Sequence, residues 1–393
     1  MPRPLRIAHL SDTHLGYRAL GRTEPGGYRN QRSVDIEAAF ERAVDSLLGR
    51  EVDLVLHAGD VFHHTRPSWT TLGVFVRQMR RVEEAGIPAL VIAGNHDTPR
   101  MRQSGSVFDL LALALPTTRF VAGYEQREEA FADLDLIVHA VPHGALVNPD
   151  PPIVMPIPGR RNIIVTHGLA AGVQTRGHEP GEERLAPDLL DPAADYVALG
   201  HFHLGGQPTR NAWYSGSTER MGWGDEEAAP GYNLVTLGET GEATVEHVAI
   251  PARPMKTLAA IEGEGLLARE LADIVLDRAA AFDDPTAMVR LELRGVPRQT
   301  RREVEEIVRR EVGDRVWDLR VYTAADLLER FAEGRDEALP PLRELFARFV
   351  DEGQQQGIYD DRFAALFRER GSRALDEAQR LAAERSPDEG TAA

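Results

Sequence analysis

Five short apolar runs in the N-terminal part of the chain are each followed closely by aspartate, asparagine or histidine. The runs cover residues 5–10, 52–56, 89–93, 163–165 and 196–199 and are typical of buried strands. In an α/β sheet the carboxyl ends of the strands open onto the ligand crevice. We therefore expect the five polar segments to meet at one site in a fold of the α/β class.

The amino-acid composition restricts the kind of metal site that this chain can build. The 393 residues are 42% hydrophobic, which allows a large core and two or three domains. Because the chain contains no cysteine, it can form neither a disulfide nor a thiolate metal site. Any metal must therefore be held by oxygen and imidazole ligands.

The net charge and the apolar segments of the chain restrict the partners that it can bind and the compartment in which we expect it. The formal net charge of −17 argues against a protein that coats nucleic acid, since such binding depends on basic residues at the phosphates. It does not exclude a nuclease, because divalent cations reverse the local sign of a site. The N-terminus lacks the apolar stretch of a signal peptide, and no segment is apolar and long enough to cross a bilayer. We therefore expect a cytoplasmic protein without membrane contact.

The pattern of predicted strands and helices divides the chain into four parts. Residues 1–250 alternate strands with helical stretches, which predicts a layered α/β domain. Residues 255–323 alternate three strands with two helices as a compact α+β unit. Residues 324–385 are predicted to be helical, with apolar faces at 342–350 and 363–367. Residues 386–393 lack apolar anchors and are predicted to be disordered.

Four motifs and one single histidine supply the candidate ligands. They are Asp12 with His14, Asp60 after Gly59, Asn95 with His96, His167, and His201 with His203. A carboxylate such as that of Asp60 can bind a different cation with each oxygen, which holds two metals roughly 3.5–4 Å apart. Taken singly, each segment is explained better as a turn, a helix cap or a loop histidine. Taken together at five strand ends, they predict a two-metal phosphoesterase site.

The ordered set of motifs resembles the calcineurin-like metallophosphoesterase superfamily. More narrowly, residues 12–16, residues 59–63 with Arg66 and Pro67, residues 94–97 and residues 200–203 are similar to the SbcD nuclease family, the bacterial relatives of meiotic-recombination-eleven DNA-repair nucleases. The similarity covers the first two thirds of the chain and rests on layout alone in the last third. It implies a four-layer sandwich with two central sheets flanked by helices, then a capping domain at 255–323 and an ATPase-docking segment at 324–385.

The resemblance also implies a role for each candidate residue. Asp12, His14, Asp60 and His203 would bind one metal ion, Asp60, Asn95, His167 and His201 would bind a second, and manganese is the expected metal. His96 would lie beside the scissile phosphate and help to protonate the leaving 3′ oxygen. His63 would position the substrate.

The same resemblance implies a substrate and partners. The chain would be a 3′-5′ exonuclease on duplex DNA ends and an endonuclease on single-stranded or hairpin DNA, acting in double-strand-break repair with an SMC-like ATPase of the SbcC type. Family members also form homodimers, for which residues 69–85 are a candidate surface. Two alternatives stay open from the sequence. One is a phosphodiesterase for a small nucleotide or other small diester, and the other is a non-catalytic DNA-end scaffold, against which the complete ligand set argues.

Two further segments each have two interpretations. The loop between His14 and Asp35 contains several arginines and tyrosines, among them Tyr28 and Arg32, which suit contacts to phosphates and unpaired bases. A flexible surface loop is the alternative. The apolar faces at 342–350 and 363–367 would serve either to dock on the ATPase or to pack on the body of the chain itself.

Overall fold

The structure, a computed structural model, describes residues 3–99, 101–148, 152–173, 183–239 and 241–323, together with 346–347, 350–351, 354, 361 and 364–373. The strands are β1 (Leu5–Leu10), β2 (Leu54–His57), β3 (Ala89–Ile92), β4 (Thr118–Val121), β5 (Arg127–Phe131), β6 (Leu136–Val141), β7 (Arg161–His167), β8 (Tyr196–Gly200), β9 (Ala212–Tyr214), β10 (Gly231–Leu237), β11 (Ala243–Ala249), β12 (Met255–Glu262), β13 (Asp284–Arg294) and β14 (Val316–Tyr322). The helices are α1 (Gln31–Leu48), α2 (Trp69–Glu84), α3 (Val107–Ala114), α4 (His143–Leu146), α5 (Ala268–Phe282) and α6 (Arg298–Glu311). Among these residues, no helix has both the length and the apolar character needed to cross a membrane.

Strands β1 to β11 form two sheets. The six-stranded sheet has the order β11-β10-β1-β2-β3-β4, in which β1 to β4 are parallel and β10 runs antiparallel to both of its neighbours. The five-stranded sheet has the order β5-β6-β7-β8-β9, in which β6 to β9 are parallel and β5 is antiparallel. The carboxyl ends of β1, β2 and β3 therefore lie along one edge of the first sheet, and those of β7 and β8 along one edge of the second.

The two sheets pack face to face through alternate residues of their strands. On β1, Ile7 belongs to the core between the sheets, whereas Ala8 and Leu10 belong to the core on the other face of the six-stranded sheet. Such alternation follows from the two-residue period of a strand. Leu56 on β2 and Val165 on β7 lie in the same core between the sheets, and both are completely buried.

Helices α1, α2 and α3 cover the outer face of the six-stranded sheet. α1 begins after Asn30, whose side chain accepts hydrogen bonds from the first backbone N–H groups of the helix. Phe40 and Val44 lie on its buried face and pack in the core that also contains Phe75 of α2 and Phe108 of α3. The helical spacing of apolar residues thus gives these helices an apolar face, and that face covers the outer face of the six-stranded sheet.

A thinner layer covers the outer face of the five-stranded sheet. Ala145 of α4 and Leu189, in the short helical turn Pro187–Leu190, pack with Ile164 and Val197 of the sheet. The order of layers is therefore helices, sheet, sheet and helical turns. The predicted four-layer α/β sandwich is confirmed.

The described residues group into two compact units. The described residues of the first unit fall within Met1–Thr257, Asp277–Val289 and Val312–Leu319, and those of the second within Leu258–Leu276, Arg290–Glu311 and Arg320–Ala393. Strands β12, β13 and β14 form a three-stranded sheet in that order, and α5 and α6 alternate with them along the chain. The alternation of three strands with two helices that the sequence predicts for residues 255–323 is confirmed.

Most of the predicted helical segment 324–385 and all of the predicted tail 386–393 lie outside the described residues. Within the segment, the rings of Phe346 and Phe367 meet edge to face with 5.3 Å between their centroids. Val350 is completely buried. Phe346 and Phe367 therefore contact each other within the segment, and the choice between docking on the ATPase and packing on the body of the chain stays a prediction.

Leu56→Ala tests the core between the two sheets. Truncating a buried leucine removes its contacts and leaves a cavity, so we expect a loss of about 2–5 kcal/mol in the free energy of unfolding. Leu113→Ala is the matched control, because Leu113 on α3 is 82% exposed. Its effect should stay within about 0.5 kcal/mol. Denaturant unfolding of both variants is the measurement, and equal losses would contradict the sandwich core.

Candidate metal centre

Loops that leave five strands bring the predicted site residues together. β1 is followed by Asp12 and His14, β2 by Asp60 and His63, β3 by Asn95 and His96, β7 ends at His167, and β8 is followed by His201 and His203. All nine side chains belong to one cluster of neighbours, at the carboxyl ends of strands from both sheets. This is the convergence that the strand ends predict.

Imidazole and carboxylate groups face one another in the first part of the cluster. Nε2 of His14 lies 3.1 Å from Nε2 of His203 and 3.4 Å from Oδ2 of Asp60. A carboxylate oxygen of Asp12 lies within 4.8 Å of one ring nitrogen of each of these histidines. These atoms bring several lone pairs to one point, where a divalent cation could bind them.

A second group of donor atoms also lies close to Asp60. Nε2 of His167 is 3.3 Å from Oδ2 of Asp60 and 3.0 Å from Oδ1 of Asn95. The same oxygen of Asn95 lies 3.3 Å from Nδ1 of His201. Oδ2 of Asp60 is thus close to an imidazole nitrogen of each group, as a ligand shared by two cations would be.

Hydrogen bonds outside the cluster fix which ring nitrogen of two histidines faces inward. Nδ1 of His167 lies 2.7 Å from the carbonyl oxygen of Ala58 and donates to it, which leaves Nε2 directed at Asp60 and Asn95. Nδ1 of His203 lies 3.3 Å from Oδ2 of Asp225, which leaves Nε2 directed at His14. Histidines that bind metals are typically held in this way, with the other N–H on a carbonyl or carboxylate. The residues present therefore fit two divalent cations.

The electrostatics of the cluster are organised around the charge of Asp60. Burial lowers the pKa of His14 well below its usual value and that of His201 to about 3, so both rings are neutral. Burial alone would raise the pKa of Asp60, but the positive charge of His167, whose Nε2 lies 3.3 Å away, holds it well below the usual value of a carboxyl. Burial alone would likewise lower the pKa of His167, yet Asp60 raises it to about 9.

The backbone adopts an uncommon conformation at four of the site residues. The angle φ is 53° at Asp12, 42° at His14, 53° at Asp60 and 102° at His201. Left-handed backbone at a residue other than glycine costs about 1–3 kcal/mol and is found preferentially at functional sites. The described residues include eight such positions, and half of them belong to this cluster. The fold therefore tolerates strain where it directs the candidate ligands.

Two glycines leave room for the ligand side chains. A Cβ atom at Gly94 would overlap with the carboxylate of Asp60. A Cβ atom at Gly200 would lie 2.7 Å from Nδ1 of His167 and would overlap with the carbonyl oxygen of Ala58. Only glycine allows the backbone to approach these side chains so closely.

His96 and His63 lie beside the two groups of donor atoms. Nδ1 of His96 lies 3.0 Å from the carbonyl oxygen of His63, which can only accept, so Nδ1 carries a proton and Nε2 is the ring nitrogen left without this bond. The two rings are nearly parallel with 5.0 Å between their centroids. The backbone N–H of His96 donates to Oδ1 of Asp60 at 2.9 Å. His14, His63 and His96 also offer nitrogens within 4.8 Å of one another.

The structure reveals two supporting carboxylates to which the sequence assigned no role. Asp97 accepts hydrogen bonds from the backbone N–H groups of Val61, Phe62 and Gly94 at 2.9–3.1 Å, and so joins the loops that carry Asp60 and Asn95. Its place beside Asn95 and His96 was a usable signal. Asp225 holds His203 but lies 22 residues further along the chain, where no pattern in the sequence links the two.

One arginine predicted from the sequence to lie in the loop between His14 and Asp35 lies in α1 and has a different role from the predicted one. Arg32 is completely buried, and its guanidinium pairs with Asp35 at 2.6 Å and with Glu219 at 3.5 Å. Its predicted contact with phosphate is therefore wrong, because the group has no access to a ligand. Arg29 pairs with Glu37. Tyr28 is 99% exposed, and its predicted contact with bases stays a prediction.

Comparison with known proteins agrees with this geometry. Residues 5–205, which are just over half of the chain, match the family described as calcineurin-like phosphoesterase. The chain is 35% identical over 298 residues to the DNA double-strand break repair protein Mre11 of Haloferax volcanii, covering 74% of this chain and 61% of that protein. Proteins of the same name from Halobacterium salinarum and Sulfurisphaera tokodaii are 29% and 28% identical, over 64% and 50% of this chain.

The chain spans 60% of the Halobacterium protein and 49% of the Sulfurisphaera protein, so it corresponds to about half or somewhat more of these relatives. The family match begins at β1 and ends just after His203, and so includes every predicted ligand. The chain therefore belongs to the calcineurin-like phosphoesterase family.

Proposed function

We propose that this chain is a two-metal phosphodiesterase that cleaves DNA. The observation that carries the proposal is the position of Asp60, whose Oδ2 lies 3.4 Å from a nitrogen of His14 and 3.3 Å from a nitrogen of His167. One carboxylate oxygen close to a nitrogen of each of two imidazole groups is the arrangement expected of a ligand shared by two cations.

The residues proposed to hold the ions form two sets, and both sets include this carboxylate. One ion is assigned to Asp12, His14, Asp60 and His203, and the other to Asp60, Asn95, His167 and His201. Manganese is proposed as the metal because the resemblance to the SbcD family implies it, and the oxygen and imidazole donor atoms are compatible with it. When bound, two such ions would polarise the phosphoryl oxygens and make a water molecule nucleophilic at neutral pH.

His96 is proposed to donate a proton to the leaving 3′ oxygen. Its Nδ1 is occupied by the carbonyl oxygen of His63, so Nε2 is the nitrogen that can deliver a proton to a bound substrate. His63 stacks on His96 and is proposed to position the phosphate. Neither assigned role requires a covalent intermediate with the protein.

The substrate and partners are proposed from the relatives and from the layout of the chain. The relatives named above are DNA double-strand break repair proteins. We propose 3′-5′ exonuclease activity on duplex ends and endonuclease activity on single-stranded or hairpin DNA, with an SMC-like ATPase of the SbcC type as partner. Residues 255–323 would then contact DNA as a capping domain, and 324–385 would dock the ATPase. A homodimer and a cytoplasmic location complete the proposal.

The direct test is cleavage of end-labelled duplex and hairpin DNA by the purified chain with manganese, beside a chromogenic phosphodiester. Manganese-dependent shortening of the DNA is expected. Hydrolysis of the small diester alone would mean that the substrate is a small molecule. The two-metal mechanism would then still hold, but the DNA substrate would be wrong. Absence of any hydrolysis under these conditions would contradict the proposed enzyme.

Substitution of His96 and of Asp60 should separate turnover from metal binding. His96→Ala removes the proton donor but no proposed ligand, so we expect unchanged manganese binding and about 10²- to 10⁴-fold slower cleavage. Asp60→Ala removes the shared ligand, so both binding and cleavage should be lost. Titration calorimetry and cleavage rates are the two measurements. Turnover of His96→Ala within a few-fold of wild type would disprove its role.

Removal of the metal should lower the thermal stability of the chain. A ligand that binds only the folded state stabilises it by about 2.7 kcal/mol at a concentration of 100 times its Kd. We expect manganese to raise the Tm after chelation of bound metal, measured by differential scanning calorimetry. The Asp60→Ala variant is the control and should show no such rise. An equal rise in both proteins would mean that manganese binds elsewhere.

Asp225→Ala tests the carboxylate that holds His203. Loss of a group that orients a ligand histidine typically weakens metal binding by about 10- to 100-fold. We expect this loss in a manganese titration, with a smaller effect for Asp225→Asn, whose amide oxygen can still accept the N–H of His203. An affinity of Asp225→Ala equal to that of wild type would show that the hydrogen bond has no role in metal binding.

A further inference from the structure

Four buried charged side chains meet at the start of α1. They belong to Arg32, Asp35, Glu219 and Arg253, and each is at most 12% exposed. The guanidinium of Arg32 lies 2.6 Å from Asp35 and 3.5 Å from Glu219. Nε and Nη2 of Arg253 donate to the two oxygens of Asp35 at 2.6 and 2.7 Å. Two positive and two negative groups thus compensate one another, which is the condition for burying charges.

The carboxylate of Glu219 anchors the chain segment 219–225. It accepts hydrogen bonds from the backbone N–H groups of Arg220 at 2.9 Å and of Arg253 at 3.0 Å. Arg32 also donates to the carbonyl oxygen of Arg220. The beginning of this segment is therefore held by the four buried charges.

The end of the same segment reaches the metal centre through Asp225. Its Oδ2 accepts the backbone N–H groups of Met221 at 2.9 Å and of Gly222 at 3.3 Å, and lies 3.3 Å from Nδ1 of His203. Met221 is only two residues beyond Glu219. A shift of Glu219 would therefore move the backbone groups that hold the partner of His203.

Arg253 also contacts two strands that follow it in the chain. Its Nη1 donates to the carbonyl oxygen of Thr286 on β13 at 2.7 Å, and its guanidinium lies 4.2 Å from the centre of the Trp317 ring on β14. These residues belong to the same compact unit as the metal centre. A guanidinium can pair with a carboxylate and stack on an aromatic ring at the same time, which a lysine cannot do.

We propose that Arg253 is a positioning residue for the metal ion assigned to His203. Its guanidinium, held by α1, β13 and β14, places the backbone N–H that Glu219 accepts, and Glu219 then keeps Asp225 in contact with His203. The inference rests on the proposed function, because it assumes that His203 binds an ion. It adds that this ion is bound tightly only while β13 and β14 hold Arg253.

The alternative is that the four charges only stabilise the fold. Loss of stability in a variant would not separate the two roles, because removing one partner of a buried ion pair is destabilising in either case. The affinities of the two ions do separate them. A role in stability alone lowers the Tm and leaves both affinities of the folded chain unchanged, whereas the positioning role weakens the ion at His203 and spares the other ion.

The experiment is a calorimetric titration of the full chain with manganese, well below the Tm of each variant. The variants are Arg253→Met, Arg253→Lys and Trp317→Ala. Two reference variants identify the ions. Asp225→Ala marks the ion that depends on His203, and His201→Ala marks the other ion.

Arg161→Met is the matched control. Arg161 is also buried, and its guanidinium donates to the carbonyl oxygens of Arg3 and Leu134 at 3.1 and 3.0 Å. It lies at the start of β7, whose opposite end carries His167. This control should lower the Tm and leave both affinities as in the wild type.

Arg253→Met is expected to weaken the ion marked by Asp225→Ala by about 3- to 30-fold, which is less than the loss for a group in direct contact with a ligand histidine. The ion marked by His201→Ala should bind as in the wild type. Arg253→Lys and Trp317→Ala should each weaken the same ion by a smaller factor. They carry the prediction if Arg253→Met does not fold.

The double variant of Arg253→Met and Asp225→Ala tests the path. If Arg253 acts through Asp225, the double variant should bind manganese as Asp225→Ala alone does. Losses that multiply would show that Arg253 acts independently and would overturn the inference. Equal weakening of both ions, or a lower Tm with unchanged affinities, would overturn it as well.

The proposed function can fail separately from the positioning role. A wild-type chain that binds two manganese ions and cleaves no DNA would refute the nuclease alone. A chain that cleaves DNA and binds both ions equally well with and without the guanidinium of Arg253 would refute the positioning role alone.

Discussion

The buried carboxylate of Asp60 is the group on which the rest of the site depends. A charge taken out of water is costly unless it is compensated by other charges and hydrogen bonds. Here His14 and His167 flank one oxygen, and the backbone N–H of His96 donates to the other. Without this charge, the imidazole groups would lie close together with little to hold them there. Two cations would complete the compensation, since each would bind the carboxylate together with its own histidines.

The sandwich fold brings together the side chains that surround Asp60. No single loop carries enough ligands, so the carboxyl ends of β1, β2 and β3 are combined with those of β7 and β8 from the other sheet. The core between the sheets fixes the distance between these two sets of loops. Strained backbone at Asp12 and Asp60, and a glycine at position 94, then aim the side chains. Strain of this kind persists only when the surrounding packing is strong enough to hold it.

The strands and the ligands could be predicted from the sequence because both leave local signals. An apolar run gives a strand, and the polar residues after it lie at its carboxyl end, so eight of the nine clustered side chains follow from position alone. His63 was named through the family resemblance. A contact between two side chains that are far apart in the sequence leaves no such local signal. Asp225 reaches His203 from a turn 22 residues away, and Arg32 is buried by pairing with Glu219, which is far away in the sequence. In the sequence, Arg32 looks like any arginine of an exposed loop, so its predicted contact with phosphate was wrong.

The most direct test of the central claim is electron paramagnetic resonance of the chain loaded with two equivalents of manganese. If the oxygen of Asp60 is shared by both ions, they lie close enough for their spins to couple. The spectrum should then be that of an exchange-coupled pair, and Asp60→Ala should abolish it. A spectrum of isolated manganese ions in the fully loaded wild-type chain would contradict a bridging Asp60 and the two-metal site built on it.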